Sequence, residues 1–359
     1  MSTMSAETDE LTAMARSVFA DHPAEIADGL PTQLWSTLTE LGLTQLTLPE
    51  DAGGSGGTLA DAAALLLVAG EAAAPVPLAE TGPLAGWLLH AAGLDAPSGP
   101  LAWAAAGQDG LTVRAESDGE LSVAGTLNRV GWARYATRVA VLAADQDGSD
   151  VVLSVDPTGP GVALTEGTNL AGEPRDGLRL DLRLGAGEVA KAPDEARELL
   201  ARRAALTRAL LLAGAAARAL TRSVRYAGER VQFGRPIARF QAVQQQLALA
   251  AAEVAAGRTA AEAAARIAAA SDFGGPDAGF AIAVAKARTS EAAGSVARIA
   301  HQVHGAIGFT LEHDLRLSTT RLWAWRDEDG SEAHWHTVIA RQALAEGPDG
   351  LWPLLTRAS

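Results

Sequence analysis

Cysteine is absent from the 359 residues, which excludes disulfides and thiolate metal sites. Lysine is nearly absent too: Lys191 and Lys286 are the only two, so almost all positive charge is guanidinium. Positive charge as a whole is short, 29 Lys+Arg against 43 Asp+Glu, and the net charge of -14 argues against a nucleic-acid or anionic-membrane surface. No uncharged apolar run reaches the roughly 18 residues needed to span a bilayer, and the N-terminus lacks a basic region followed by an apolar one. A soluble, cytoplasmic protein with no nucleic-acid partner and no membrane contact is the expectation.

What is present is alanine, and with it helix. The length suits two or three domains with a sizeable core. From about Thr8 to Leu94, apolar residues recur at helical spacing: Leu11, Met14, Ala15 and Val18, then Leu34, Leu38 and Leu41, then Leu59 through Val68. From about Gly99 to Leu184 the texture changes to short runs, Leu101 to Ala105, Leu121 to Ala124, Val139 to Ala143 and Val151 to Val155. Turns at Asp118-Gly119, Asp147-Gly148 and Pro157 to Gly161 divide them into a small β domain. Pro193 to Tyr226, Ile237 to Ala270 and Pro276 to Val303 are again helical, with a further helix from about Ser331 to Leu344. The regular Leu, Val and Ile insertions among the alanines indicate packed helices rather than disorder.

Between two of these helices runs Arg230-Val-Gln-Phe-Gly-Arg-Pro-Ile-Ala-Arg-Phe-Gln241, where Gly234 and Pro236 break the pattern and predict a helix–helix corner. An arginine, an aromatic and two glutamines at a corner suit an anionic, planar ligand. Arg and Gln are also common at solvated helix ends, and these twelve residues alone leave both readings open. The stretch Arg230-x-x-Phe233-Gly234-x-Pro236-Ile237-x-x-Phe240-Gln241 resembles the flavin-contacting signature of the acyl-CoA dehydrogenases. Gln302-Val-His-Gly305-Ala-Ile-Gly308-Phe-Thr-Leu-Glu312 is similar to that family's second signature, and Trp35 through Gly54 resembles its N-terminal pattern. The three occur in the family's order and cover nearly the whole chain. The resemblance implies an α+β fold, with a helical domain over 1–98, a small β domain over 99–188 and a C-terminal four-helix bundle over 189–359. Periodicity alone would give only mixed α and β segments.

Members of that family take a proton from the carbon next to a thioester and pass a hydride from the following carbon to flavin N5. The resemblance therefore implies FAD, an acyl-CoA substrate, an electron-transfer acceptor protein and an oligomer built as a dimer of dimers. The family's base position, a carboxylate before the last long helix, falls on Asp329 in Asp329-Gly330-Ser331, with Glu328 as the fallback. Asp329 and Ser331 are equally suited to capping that helix, so base and cap remain alternatives. Arg203 to Arg208, where other branches carry the base, has no carboxylate. By resemblance, Arg230, Gln232, Phe233 and Gln241 contact the adenosine and pyrophosphate half of a cofactor bound mainly by the neighbouring subunit. Gln302 and the turn Val303-His304-Gly305-Ala306 complete that contact, with Ala306 in place of the usual second Gly.

The β domain departs from the family. The flavin-ring loop has no counterpart near Leu101 to Gly107, and the Trp-x-Thr strand falls on Arg129-Val130-Gly131; after Ser331, Ala333 replaces a frequent Gln. Contacts to a neighbour's FAD thus survive better than contacts to the chain's own flavin ring. That unevenness supports a catalytically silent subunit of a hetero-oligomer, as in bacterial branches acting on steroid-CoA thioesters, beside the reading as a working dehydrogenase. From a third class, Gly53-Gly54-Ser55-Gly56-Gly57 satisfies the Gly-x-Ser-x-Gly pattern of hydrolases, but no strand runs into it. His301-x-x-His304 and His334-x-His336 lack a cysteine or a clustered carboxylate, and no metal is expected. Trp323 and Trp325 read as core or pocket wall.

Overall fold

A computed structural model describes residues 6–24, 29–107, 110–116, 120–310 and 312–357. Its elements run α1 (Ala6–Asp21), α2 (Thr32–Glu40), α3 (Leu59–Ala72), a π-helical turn Glu80–Gly86 leading into α4 (Trp87–Ala91), then β1 (Leu101–Ala105), β2 (Leu111–Ala115), β3 (Leu121–Gly131), β4 (Arg138–Ala144), β5 (Asp150–Val155), β6 (Val162–Thr165), β7 (Arg175–Leu184) and β8 (Val189–Lys191). There follow α5 (Ala196–Glu229), β9 (Val231–Gln232), β10 (Arg235–Pro236), α6 (Gln241–Ser271), α7 (Gly275–His304), α8 (Leu315–Trp325) and α9 (Glu332–Arg357). Helices, then two β sheets, then a helical bundle is the α+β order expected. The expected turn at Asp118-Gly119 lies outside the described residues.

The chain divides into two compact units, the first made of residues 1–26, 59–74 and 205–359, the second of 27–58 and 75–204. In the second, one sheet has the order β1-β4-β5-β8, with β1 parallel to β4 and the rest antiparallel, and the other, β2-β3-β7-β6, is antiparallel throughout. Strand alternation decides which faces meet. Along β7, Leu178, Leu180 and Leu184 are buried while Arg179, Asp181 and Arg183 point outward, and the leucines join Val123, Val141 and Leu153 in one core. The opposite face of the first sheet buries Leu101, Leu142 and Val152 against Leu84, Leu88, Leu89 and Leu200.

In the first unit alanine governs packing distance. Gly70 on α3 and Gly214 on α5 face each other's backbone: a Cβ at Gly70 would stand 2.3 Å from the Leu211 carbonyl, and one at Gly214 2.2 Å from that of Leu67. Any side chain at either point would force the helices apart. α7 runs through the middle of this unit, packed by α6, α8 and α9, with Phe280, Ile282, Val296 and Ile299 among its buried residues. α9 breaks at Gly347, whose φ of 69° is not helical. α5 is long and apolar enough to cross a membrane by length and composition, yet most of its apolar stretch is buried, as in a core helix.

Candidate functional site

The residues between α5 and α6 form a β-hairpin rather than a plain helix corner. Gln232 pairs with Arg235 and Val231 with Pro236, and the tip is Phe233-Gly234, with φ of 51° and 77°. Two consecutive residues with positive φ are what a two-residue hairpin turn requires; Gly takes one readily and Phe233 is held in the other. Phe233 is 91% exposed, with Phe240 set edge-on to it at 6.1 Å and the Arg235 guanidinium 4.4 Å above the Phe240 ring. Arg230, Gln232 and Gln241 are exposed as well, and Arg230 has no ion-pair partner among the described residues. Four of the residues expected to touch FAD therefore sit together at this hairpin, with their side chains outward.

The second group divides. Val303 and His304 are not part of a turn; they are the last two residues of α7 and both are buried. The His304 ring stacks on Tyr226 at 4.4 Å, and its Nδ1 lies 2.8 Å from the Ala300 carbonyl, which assigns the proton to Nδ1. Burial, then the nearby His313, holds its pKa below the usual histidine range. The turn begins at Gly305, whose φ of 63° ends the helix and beside which a Cβ would meet nothing. Gln302, Gly305 and Ala306 line an open cleft of about 930 Å³ together with Arg298, Phe309 and Trp323. None of the hairpin residues lines that cleft. Trp325, by contrast, is core, 3% exposed.

Asp329 occupies a third place, on the loop between α8 and α9. Its Oδ2 accepts a hydrogen bond from Arg208 Nε at 2.8 Å, and Arg208 Nη2 stands 3.4 Å from Glu328. Arg208 is buried, so the expected base and its fallback both face a desolvated guanidinium instead of an apolar pocket. Nor does Asp329 cap α9. That role falls to Ser331, whose Oγ accepts from the His334 N–H at 3.3 Å. The loop itself is pinned: Lys286 Nζ donates to the carbonyls of Arg326 at 3.0 Å and Gly330 at 2.9 Å and to Ser290 Oγ at 3.0 Å. The Trp335 indole donates to the Asp329 carbonyl at 3.0 Å. Lys286 is fully buried, and desolvation lowers its pKa from 10.5 to about 8 against the raising influence of Asp329.

Arg208 and Lys286 are the residues that sequence reading missed. A signal existed for the lysine, one of two in the chain and set in the apolar run Ala283-Val-Ala-Lys286-Ala. For Arg208 there was none, since its partner lies 121 residues away.

The remaining motifs resolve locally. Ser55 Oγ donates to the Gly42 carbonyl at 2.7 Å and follows a single 3₁₀ turn, Glu50–Ala52, with no strand before it. Its hydroxyl staples a loop and has no base beside it. His334 and His336 diverge on α9: His334 lies edge-on to Trp335, while His336 Nε2 is 3.0 Å from Glu291 Oε1, near Glu332. Glu291 is also paired with Arg288 and Glu332 with Arg326, so guanidiniums already neutralise this cluster. In the β sheets, the segment Arg129-Val130-Gly131 falls at a bulge after Leu127, with Arg129 at φ 58°.

Residues 5–96 match the model of the acyl-CoA dehydrogenase N-terminal domain and residues 195–344 that of the C-terminal domain. The chain is 31% identical over 293 residues to acyl-CoA dehydrogenase IpdE2 of Mycolicibacterium smegmatis, covering 80% of this chain and 81% of that one. Among solved structures, the Tcur3481-Tcur3483 steroid ACAD matches with a TM-score of 0.84 at 27% identity, over 97% of this chain and 100% of that one. The ChsE4-ChsE5 complex from Mycobacterium tuberculosis shares the fold, with a TM-score of 0.86 at 24% identity over 97% and 100% of the two chains. This chain belongs to the acyl-CoA dehydrogenase family.

Proposed function

We propose that the chain is a subunit of an FAD-dependent acyl-CoA dehydrogenase assembly, in which it holds flavin for a neighbouring subunit and takes no proton itself. One contrast carries this reading: Arg230, Gln232, Phe233 and Gln241 are exposed at the hairpin, whereas the carboxylate at the base position is closed in by Arg208. The residues suit the cofactor. A guanidinium without a counter-charge fits a pyrophosphate, an exposed ring fits adenine, and the open backbone at Gly305 lets a phosphate approach N–H groups that a Cβ would screen. When bound, FAD supplies the acceptor for the β-hydride. For Asp329 to take an α-proton from an acyl-CoA, its other oxygen, Oδ1, would have to accept it while Oδ2 stays bonded to Arg208.

The likeness to the Tcur3481-Tcur3483 steroid ACAD, at 27% identity, supports a hetero-oligomer acting on bulky acyl-CoA thioesters, and the family resemblance implies an electron-transfer protein that receives the electrons. Co-expression with a related subunit and measurement of flavin per chain test this. The expected result is an assembly with less than one FAD per chain, and little flavin on the chain expressed alone. A homo-oligomer with one FAD per chain and full activity on an acyl-CoA would overturn it.

A second reading keeps Asp329 as the base. Its support is the rigid loop: Lys286 and Trp335 fix both carbonyls beside Asp329, the kind of positioning a proton acceptor needs.

A further inference from the structure

A second cleft, of about 790 Å³, lies within the first unit, and no residue of the hairpin or of the α7 turn lines it. Five arginines line it, Arg16 from α1, Arg218, Arg222 and Arg225 from α5 and Arg258 from α6, against two carboxylates, Glu71 and Asp314. A local positive excess in a chain of net charge -14 is a built feature of the surface, because nothing in the overall composition would produce it. The α5 arginines stand at successive turns of one helix face, the spacing that brings side chains together.

The existing ion pairs do not exhaust these donors. Arg222 pairs with Asp314 at 2.6 Å, while Arg218 stands 3.7 Å from the same carboxylate and uses Nη1 on the Glu71 carbonyl at 3.2 Å. Arg218 Nε is buried without an acceptor. Arg16 and Arg258 share Glu71, at 2.5 and 3.2 Å. Arg225 and Arg258 also reach Glu229 and Glu262 through exposed or half-exposed pairs one helical turn away, screened by solvent and readily exchanged for a phosphate. Burial, and next the charge of Arg222, holds the Arg218 pKa below the usual arginine range, as for a cation short of counter-charge. Phe19 and Val68 supply an apolar wall beside the charges.

We infer that this cleft is an anion site for a diphosphate group. Arg218 to Arg225 spans about 10 Å of helix at 1.5 Å per residue, longer than a single phosphate and matched by two linked ones. Guanidinium forks take phosphate oxygens in pairs, and the Phe19 wall has room for an apolar or planar appendage. The diphosphate comes either free or as part of a nucleotide.

Calorimetric titration of the flavin-loaded protein with inorganic pyrophosphate, ADP and adenosine tests the assignment. Pyrophosphate and ADP should bind and adenosine should not, with affinity falling as salt is raised. ADP binding more tightly than pyrophosphate assigns a nucleotide, and equal affinities assign the free diphosphate. Arg222→Ala/Arg225→Ala, at partly exposed positions that leave the fold intact, should weaken binding at least tenfold. No binding to the wild type at millimolar concentration, equal binding of adenosine, or unaltered affinity in the double variant overturns the site. Release of bound flavin by ADP or pyrophosphate, read in its absorbance, would move the probe to the flavin-contact residues, overturning this inference while leaving the proposed function standing.

Discussion

Two stretches of this molecule answer the same family signature in opposite ways. In the loop from Arg326 to Ser331 the groups around Asp329 are engaged: the Asp329 carboxylate by Arg208, its carbonyl by Trp335, the Arg326 and Gly330 carbonyls by Lys286, and the Ser331 hydroxyl by the start of α9. In the hairpin from Arg230 to Gln241 the backbone is ordered by strand pairing while the side chains of Arg230, Gln232 and Phe233 point outward. A closed network accounts for itself by holding the fold together. An ordered backbone presenting an arginine and an exposed aromatic ring is the arrangement that the proposed flavin contact would use.

Substitutions can break that comparison. The largest effect belongs to Arg208→Ala, which leaves Glu328 and Asp329 facing a desolvated gap; loss of one partner of a buried pair costs about 3–5 kcal/mol, to be read by urea denaturation. A loss below about 1 kcal/mol would show that the loop does not depend on the pair.

Lys286 gives a pH signature. Its folded pKa, about 8, lies below the unfolded 10.5, so below about pH 8 the ammonium is present in both states and burial opposes folding. Between about 8 and 10.5 the unfolded chain holds a proton that the folded one has released, and stability rises by about 1.4 kcal/mol per pH unit, roughly 3 kcal/mol in all. With only two lysines and two tyrosines in the chain, few other groups titrate in that window. Chemical denaturation from pH 7.5 to 10.5 should show this slope in the wild type and a flat line in Lys286→Met.

At the hairpin the expectations reverse. Arg230→Ala should leave the thermal midpoint unchanged and weaken FAD retention about ten- to a hundredfold, the equivalent of one charge-assisted bond of about 1.5–3 kcal/mol, measured by flavin release on dilution. The smallest effect is that of Ser55→Ala, about 1 kcal/mol of stability for the lost bond to the Gly42 carbonyl, and a fluorophosphonate should label neither form.

Legibility in the sequence followed the range of the interaction. Apolar spacing is local, so the helices around Leu11, Leu34 and Leu59 and the strands Leu101–Ala105 and Asp150–Val155 stand near where the pattern put them. α8 was missed because Leu315–Trp325 carries Ser318, Thr319 and Thr320, poor helix formers, of which the two threonines bond back to earlier carbonyls or to His301. The hairpin was read as a corner because strands of two residues leave no alternation to detect. In the site, the family motif located Asp329, but which group faces it depends on packing between α5 and the α8–α9 loop, and no local rule encodes that.

The proposed role of this chain is to lend contacts to a flavin without taking the proton. Its most direct test is anaerobic reduction by acyl-CoA of the flavin-loaded assembly carrying Asp329→Asn, followed by bleaching of the flavin absorbance. With the carboxylate held by Arg208 and not acting as the base, bleaching should proceed at the wild-type rate. Retained flavin and acyl-CoA with bleaching abolished would contradict it and establish Asp329 as the proton acceptor.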